Sequence, residues 1–303
     1  MFKNFKRLIK GNPGFRHLDG KGNVDSSGAL DPGEHIKGEI TRSKFRVASC
    51  QSTGRERAHN EDTIFTLNCF LGGLDSPAHL GIYLIADGMG GHQSGEVASN
   101  LAAQGSSQYL IECVYSAFVF EQKTFTPSEI MQWVIEAVGE AQSRILQRVP
   151  GGGTTLTLVL ALDAEIFMAH VGDSRLYLIG KDGTLTLKTR DHSLVKRLID
   201  LGEITESEAG VHPHRNILYR ALGQSDPFEP DTEVFSLQPG ERLLLCSDGL
   251  WGVVKPEDLT RVLNSAQDLD DVACELVKAA NDAGGPDNIS VILVERLGKR
   301  IIE

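Results

Sequence analysis

From Phe45 onward the chain alternates between short apolar runs and longer amphipathic stretches. Alternating or β-branched runs predict strands at 45–50, 63–67, 81–86, 154–162, 165–171, 175–180, 184–188, 231–236, 241–247 and 288–296. Apolar residues at helical spacing predict helices at 95–114, 127–148, 256–264 and 268–283. Two of these starts are marked chemically. Pro127-Ser128-Glu129 and Lys255-Pro256-Glu257-Asp258 place proline and acids in a first turn, where the missing N–H is harmless and negative charge meets the helix dipole. Two consecutive helices fall between the third and fourth strands and two more precede the last, while most other strands are joined by short turns. A doubly wound parallel sheet needs a helix between nearly every strand pair. The pattern therefore predicts an α+β fold of antiparallel sheets covered by helices.

Two segments depart from this pattern. Residues 1–43 are rich in Gly, Pro, Asp and Lys without a sustained period, and read as a mobile leader ahead of a folded body at 44–303. Lys3, Lys6, Arg7 and Lys10, with Phe2, Phe5, Leu8 and Ile9 spaced for one helix face, leave open a docking role for its first ten residues or a frayed, solvated end. The second segment, 191–230, carries Leu194, Leu198, Ile199 and Leu201 at helical spacing and then a polar, histidine-rich stretch. Inserted between two strands, it reads as a flap over a site.

Composition narrows the function. The chain has 303 residues and a formal net charge of −11, which argues against a nucleic-acid partner held by a basic surface. No run approaches the length of about 18 apolar residues that spans a bilayer. The five cysteines (Cys50, Cys69, Cys113, Cys246, Cys274) form no CxxC pair and no Cys/His cluster, which points to reduced thiols in a cytoplasmic setting and away from zinc.

The chemistry is announced by four aspartates at the ends of apolar runs: Asp87 after GIYLIA, Asp173 after MAHVG, Asp248 after LLLCS, and Asp287 in GGPDN before ISVILVE. A carboxylate at a strand end projects from the rim of a sheet, and several together stay ionised only when cations neutralise them. Any one of them could instead start a turn or cap a helix; four in one setting argue for a shared cation. An all-oxygen donor set suits hydrated Mg²⁺ or Mn²⁺, and no stretch has the D-x-[DN]-x-[DN]-G form of a calcium loop.

Eight strings complete the reading: GRERAHNED (54–62), ADGMGGHQSGEVAS (86–99), GTTLT (153–157), VGDSRLYL (171–178), TRDHS (189–193), HPHRN (212–216), CSDGLWGVV (246–254) and GPDNISVI (285–292). In this order they resemble the metal-dependent protein phosphatases, the type 2C serine/threonine phosphatases in their compact bacterial form, over about residues 44 to 297. The resemblance implies a four-layer αββα sandwich, two antiparallel sheets with helices on both outer faces, and paired Mn²⁺ or Mg²⁺ ions at one end. It implies that Asp87 bridges the two ions and Gly88 lends its carbonyl. Asp248 and Asp287 would complete the first ion, and Asp173 would face a weaker third one. Glu61 and Asp62 would hold metal-bound waters, and Arg57 would grip the substrate phosphate. Its partners would be phosphorylated proteins and a cognate serine/threonine kinase, and the chain is expected to be a monomer. The residues themselves favour Arg57 too, since guanidinium meets phosphate oxygens in fork geometry.

One position departs from animal relatives, which commonly carry His where this chain has Met89. The donor of the leaving-group proton is then either a metal-bound water or His92, which can equally be a packing residue at a helix start. His59, His192, His212 and His214 read as locally bonded loop histidines that could shape peptide access. Cys246, within LLLCSD, reads as a buried inert thiol. A cysteine-dependent phosphatase is excluded because no cysteine has Arg six positions on, and a nucleotide loop because Glu96 stands where Lys is needed. A non-catalytic module on the same fold, or a phosphatase of small phosphoesters, are the remaining alternatives.

Overall fold

Neighbouring residues of a strand face opposite ways, and here both faces are apolar over much of the strand length, so the sheets are covered twice. The computed structural model describes residues 44–71, 78–90, 93–121, 125–224, 228–265 and 268–298. The leader (1–43) and His92 lie outside the described residues. The strands are β1 (Phe45–Ser52), β2 (Asp62–Leu71), β3 (Ala78–Met89), β4 (Gly153–Thr154), β5 (Leu156–Leu162), β6 (Glu165–Val171), β7 (Arg175–Ile179), β8 (Leu185–Leu187), β9 (Asp231–Ser236), β10 (Arg242–Cys246) and β11 (Ile289–Arg296). The helices are α1 (Gln93–Tyr115), α2 (Pro127–Arg148), α3 (Leu194–Asp200), α4 (Glu206–Gly210), α5 (Asp248–Trp251), α6 (Pro256–Leu263) and α7 (Leu269–Asp282).

One sheet runs β1-β11-β10-β7-β8 and the other β2-β3-β5-β6-β9, with β4 paired to the end of β3. The pairings between these strands are antiparallel. The period of two along each strand sorts side chains into separate cores. On β3, Ile82, Leu84 and Ala86 pack with Ala98, Ala102, Val134 and Ala141 of α1 and α2. Tyr83 and Ile85 point the other way and meet Leu243, Leu245, Ile292 and Val294 of the facing sheet. On β10 and β11, Leu244, Val291 and Leu293 pack under Leu259, Val272 and Leu276 of α6 and α7. Three apolar layers thus separate helix, sheet, sheet and helix, which is the expected αββα architecture; each large side chain buried there contributes ~1.5–3 kcal/mol.

Local chemistry adjusts the boundaries. Helix α2 starts at the N-cap Thr126, whose hydroxyl accepts from the Glu129 N–H while Glu129 bonds back to the Thr126 N–H. The strand expected at 154–162 is broken at Thr155, whose N–H donates to the Asp87 carbonyl (2.8 Å) and whose hydroxyl accepts from the Asp87 N–H (2.9 Å). Helix α1 continues into a π-helical stretch, Ser116–Glu121, that simple period counting does not anticipate. The segment 191–230 holds α3 and α4, with isolated bridges from Ser193 to Leu218 and from Leu222 to Thr154. Helix α3 buries no residue, and Leu201 and Val211 beside these helices are 62% and 80% exposed. Among the described residues no helix is long and apolar enough to cross a membrane.

Candidate metal centre

The antiparallel register brings the predicted acids to one edge of the sandwich. Asp62, the first residue of β2, lies directly opposite Asp87 near the end of β3. Asp248 opens α5 just past β10, Asp287 precedes β11, and Asp173 sits in the turn between β6 and β7. Their charges act on one another. Burial first, then Asp62, Asp248, Asp173 and Asp287, raise the Asp87 carboxyl well above the ordinary range. Burial, Asp173, Asp287 and Asp62 do the same to Asp248. Burial and Asp191 raise Asp173 to about 7, and burial raises Asp62 to about 6 against the pull of two serine hydroxyls. Asp87 and Asp248 are half-buried, whereas Asp62 and Asp173 are each 7% exposed.

The polar accounting of this pool does not close. Ser247 and Ser290 donate to Asp62 Oδ2 (2.8 and 2.7 Å), but Asp62 Oδ1 and Asp248 Oδ1 are buried and have no hydrogen-bond partner. Acceptors in that state are costly unless a cation or its water meets them. Among the described residues no three His, Cys, Asp or Glu groups converge closely enough to cage a metal unaided. Mg²⁺ and Mn²⁺ are hard ions that take a few carboxylate oxygens and keep several waters, and the side-chain donors here are all oxygen. The backbone supports this. A Cβ on Gly88 would stand 2.3 Å from the Gly95 carbonyl and 2.8 Å from that of Glu61, so only glycine lets this strand end pass so close to the start of α1. The Glu61 carboxylate lies in the same crevice, where a Cβ on Gly95 would meet Oε2 at 2.3 Å.

Arg57 is placed beside the acids but not free of them. Its guanidinium donates to Asp287 Oδ2 at 2.7 Å, with about half of the side chain exposed. The loop carrying it is held by a residue that motif reading passed over. Buried Asn288 donates to the carbonyls of Thr53 and His59 (both 2.9 Å) and accepts from the Glu61 N–H (2.8 Å). Its position in the GPDN string was the available signal.

A second buried cluster adjoins Asp173. Arg175 makes a bidentate pair with Asp191 (3.0 and 2.7 Å), donates to the Tyr177 hydroxyl (3.1 Å), and stacks 3.6 Å from the Trp251 ring centroid. The Trp251 indole N–H donates to the Asp173 carbonyl at 3.0 Å. His192 corrects an expectation: it is 1% exposed, so it cannot meet a peptide. Its Nδ1 accepts from the Gly172 N–H (3.1 Å), which leaves the proton on Nε2 to bond Asp231 Oδ2 (3.1 Å). His170 stacks against it at 5.1 Å, and burial pushes that imidazole down to about 3. His59, His212 and His214 remain at or near the surface, and Cys246 is fully buried as expected. Met89 pairs with Gly153 across β4.

Two apposed antiparallel sheets clad in helices thus carry pooled acids at one edge with an arginine beside them, an arrangement suited to cations and to an anionic ligand. Comparison with known proteins gives that arrangement its family. The family model described as "Protein phosphatase 2C" matches residues 55–293. The serine/threonine phosphatase stp of Listeria welshimeri is 38% identical over 250 residues, covering 80% of this chain and 92% of the relative. The structure of the S. agalactiae serine/threonine phosphatase superposes with a TM-score of 0.71 at 33% identity, covering 83% of this chain and 99% of that one. The catalytic domain of the serine/threonine protein phosphatase PstP, solved in complex with two manganese ions, gives 0.68 at 30% identity, covering 84% and 99%. This chain belongs to the protein phosphatase 2C family.

Proposed function

We infer that the chain is a metal-dependent protein serine/threonine phosphatase, which hydrolyses phosphoserine and phosphothreonine with a metal-activated water. The observation that carries the reading is the pool of mutually raised carboxylates with two buried, unpartnered oxygens, Asp62 Oδ1 and Asp248 Oδ1. When bound, a pair of Mn²⁺ or Mg²⁺ ions supplies the charge that lets these acids ionise together, lowers the pKa of a water and neutralises phosphate. We assign Asp87, the Gly88 carbonyl, Asp248 and Asp287 to hold that pair, with Asp173 facing a weaker third ion. Asp62 and Glu61 orient water from behind. Arg57 already lies against Asp287; in this reading it exchanges that partner for a phosphate oxygen pair, so the substrate arrives next to the acids. No protein nucleophile is needed.

The proposal extends to organisation. Residues 44–303 form the catalytic body, 191–230 its flap, and 1–43 a leader; the chain works as a cytoplasmic monomer on phosphoproteins made by a cognate serine/threonine kinase. The deciding assay is phosphate release from a phosphothreonine peptide and from sugar phosphates, with Mn²⁺, with Mg²⁺ and with chelator. Metal-dependent release that favours the peptide is expected. Release that persists in chelator removes the metal reading, and equal turnover of sugar phosphates moves the substrate to small phosphoesters.

A further inference from the structure

Away from the acidic edge, two cysteines from opposite halves of the sequence share one place. Cys50 lies on β1 with its side chain against the core under α7, and Cys274 lies on α7. Strand β1 packs against α7, so half-buried Cys50 lies under the helix that carries exposed Cys274, and Cys274 acts on the Cys50 thiol. A cavity of about 620 Å³ opens at this point, lined by Cys274, Gln51, Arg55, Val277, Lys278 and Asn281 among others. Cys274 is exposed at this opening.

Both elements run on into the phosphate-binding region. Beyond Cys50, β1 leads to Ser52, whose hydroxyl lies 3.4 Å from Asn281 Oδ1 at the end of α7. Arg55 then donates through Nε to the Asn281 carbonyl (2.7 Å) and through its N–H to the Gly285 carbonyl (2.7 Å). Two residues further on each strand of this connection stand Arg57 and Asp287, joined at 2.7 Å.

We propose that Cys50 and Cys274 are an oxidisable dithiol, closed to an intramolecular disulfide by a low-molecular-weight disulfide of the glutathione type, and that closure alters the Arg57 phosphate grip. The Cys274 thiolate attacks one sulfur of the reagent and expels a first thiolate, which takes up a proton. Cys50 then loses its proton to solvent and attacks the Cys274 sulfur, expelling the second. Two protein thiols are oxidised and one disulfide is reduced to two thiols. Burial, then Cys274 itself, pushes the Cys50 thiol up to about 11, so the exposed Cys274 acts first and Cys50 resolves.

The test uses reduced full-length protein and glutathione disulfide. Expected are the loss of two of the five thiols, a Cys50–Cys274 linked peptide by mass spectrometry and reversal by dithiothreitol. Cys50→Ser should stop at one glutathione per chain on Cys274, and Cys274→Ser should prevent the linkage. Wild-type protein that halts at the adduct, or that reacts as fast at Cys69 or Cys113, overturns the dithiol. The second arm rests on the phosphatase reading: the oxidised protein should show a KM for phosphopeptide raised severalfold with little change in kcat. An unchanged KM overturns the coupling to the site. Because the thiol arm reads no activity, its failure is distinct from failure of the phosphatase reading.

Discussion

Two buried charged clusters lie side by side in this protein and differ in one respect. Around Asp191 every charge is matched: Arg175 meets it with two hydrogen bonds, while Tyr177 and Trp251 occupy the rest of the guanidinium. Around Asp87 the carboxylates outnumber the one guanidinium beside them, Arg57 on Asp287, and oxygens of Asp62 and Asp248 stand partnerless. The matched cluster can hold its shape unaided, whereas the unmatched one is stable only with protons or cations. That difference separates a brace from the metal site proposed above. The brace is nonetheless tied to the site, because Trp251 bonds the Asp173 backbone and His192 bonds that of Gly172.

The comparison can be broken most severely at Asp248. Asp248→Asn removes one of the crowded acids without changing shape; phosphate release should fall by roughly a hundredfold or more, the scale of a damaged metal site. Circular dichroism should show a folded protein whose thermal midpoint no longer responds to Mn²⁺. Wild-type turnover would place the centre elsewhere. On the matched side, Asp191→Ala leaves the Arg175 charge buried and unpaired, and should cost about 3 kcal/mol in denaturant unfolding. A loss indistinguishable from a surface substitution would show that the pair carries no structural weight.

A pH series sharpens the contrast. Asp173 and Asp62 have folded-state values near 7 and 6, above their ordinary value of 3.8, and Asp87 and Asp248 lie well above it too. The folded state therefore binds more protons than the unfolded one between about pH 4 and 7, and stability must fall as pH rises through that window. Chelator-treated protein should melt at lower temperature at pH 8 than at pH 5.5, and Mn²⁺ should raise the midpoint more at pH 8. A midpoint that climbs with pH in chelator would contradict the raised acids. The smallest effect is expected at the rim, where Arg57→Ala should raise KM for phosphopeptide about tenfold and spare kcat, since it removes binding shared by ground and transition states.

Much of this was legible in the sequence because it follows from local rules. Ile82/Leu84/Ala86 and Tyr83/Ile85 alternate on one strand, and that period announces a sheet apolar on both faces. Asp87, Asp173, Asp248 and Asp287 stand at or beside strand ends, so their gathering at one edge could be anticipated without coordinates. Less was legible where partners are distant. The serines that steady Asp62 come from positions 247 and 290, and Asn288 gathers the loop at 53–61 by bonds across more than two hundred residues. His192 looked like one more polar loop histidine until packing enclosed it.

By itself, then, the order of residues determined the strand and helix repertoire, the apolar layering and the acids that end the strands, since those depend on side-chain period and on neighbours a few positions away. Only the tertiary structure decided that Asp62 faces Asp87, that Arg57 rests on Asp287, that Arg175 is balanced by Asp191 and that Cys50 meets Cys274. Each of these is a meeting of chain segments whose register is set by core packing, a sum of many weak contacts that no short stretch of sequence encodes.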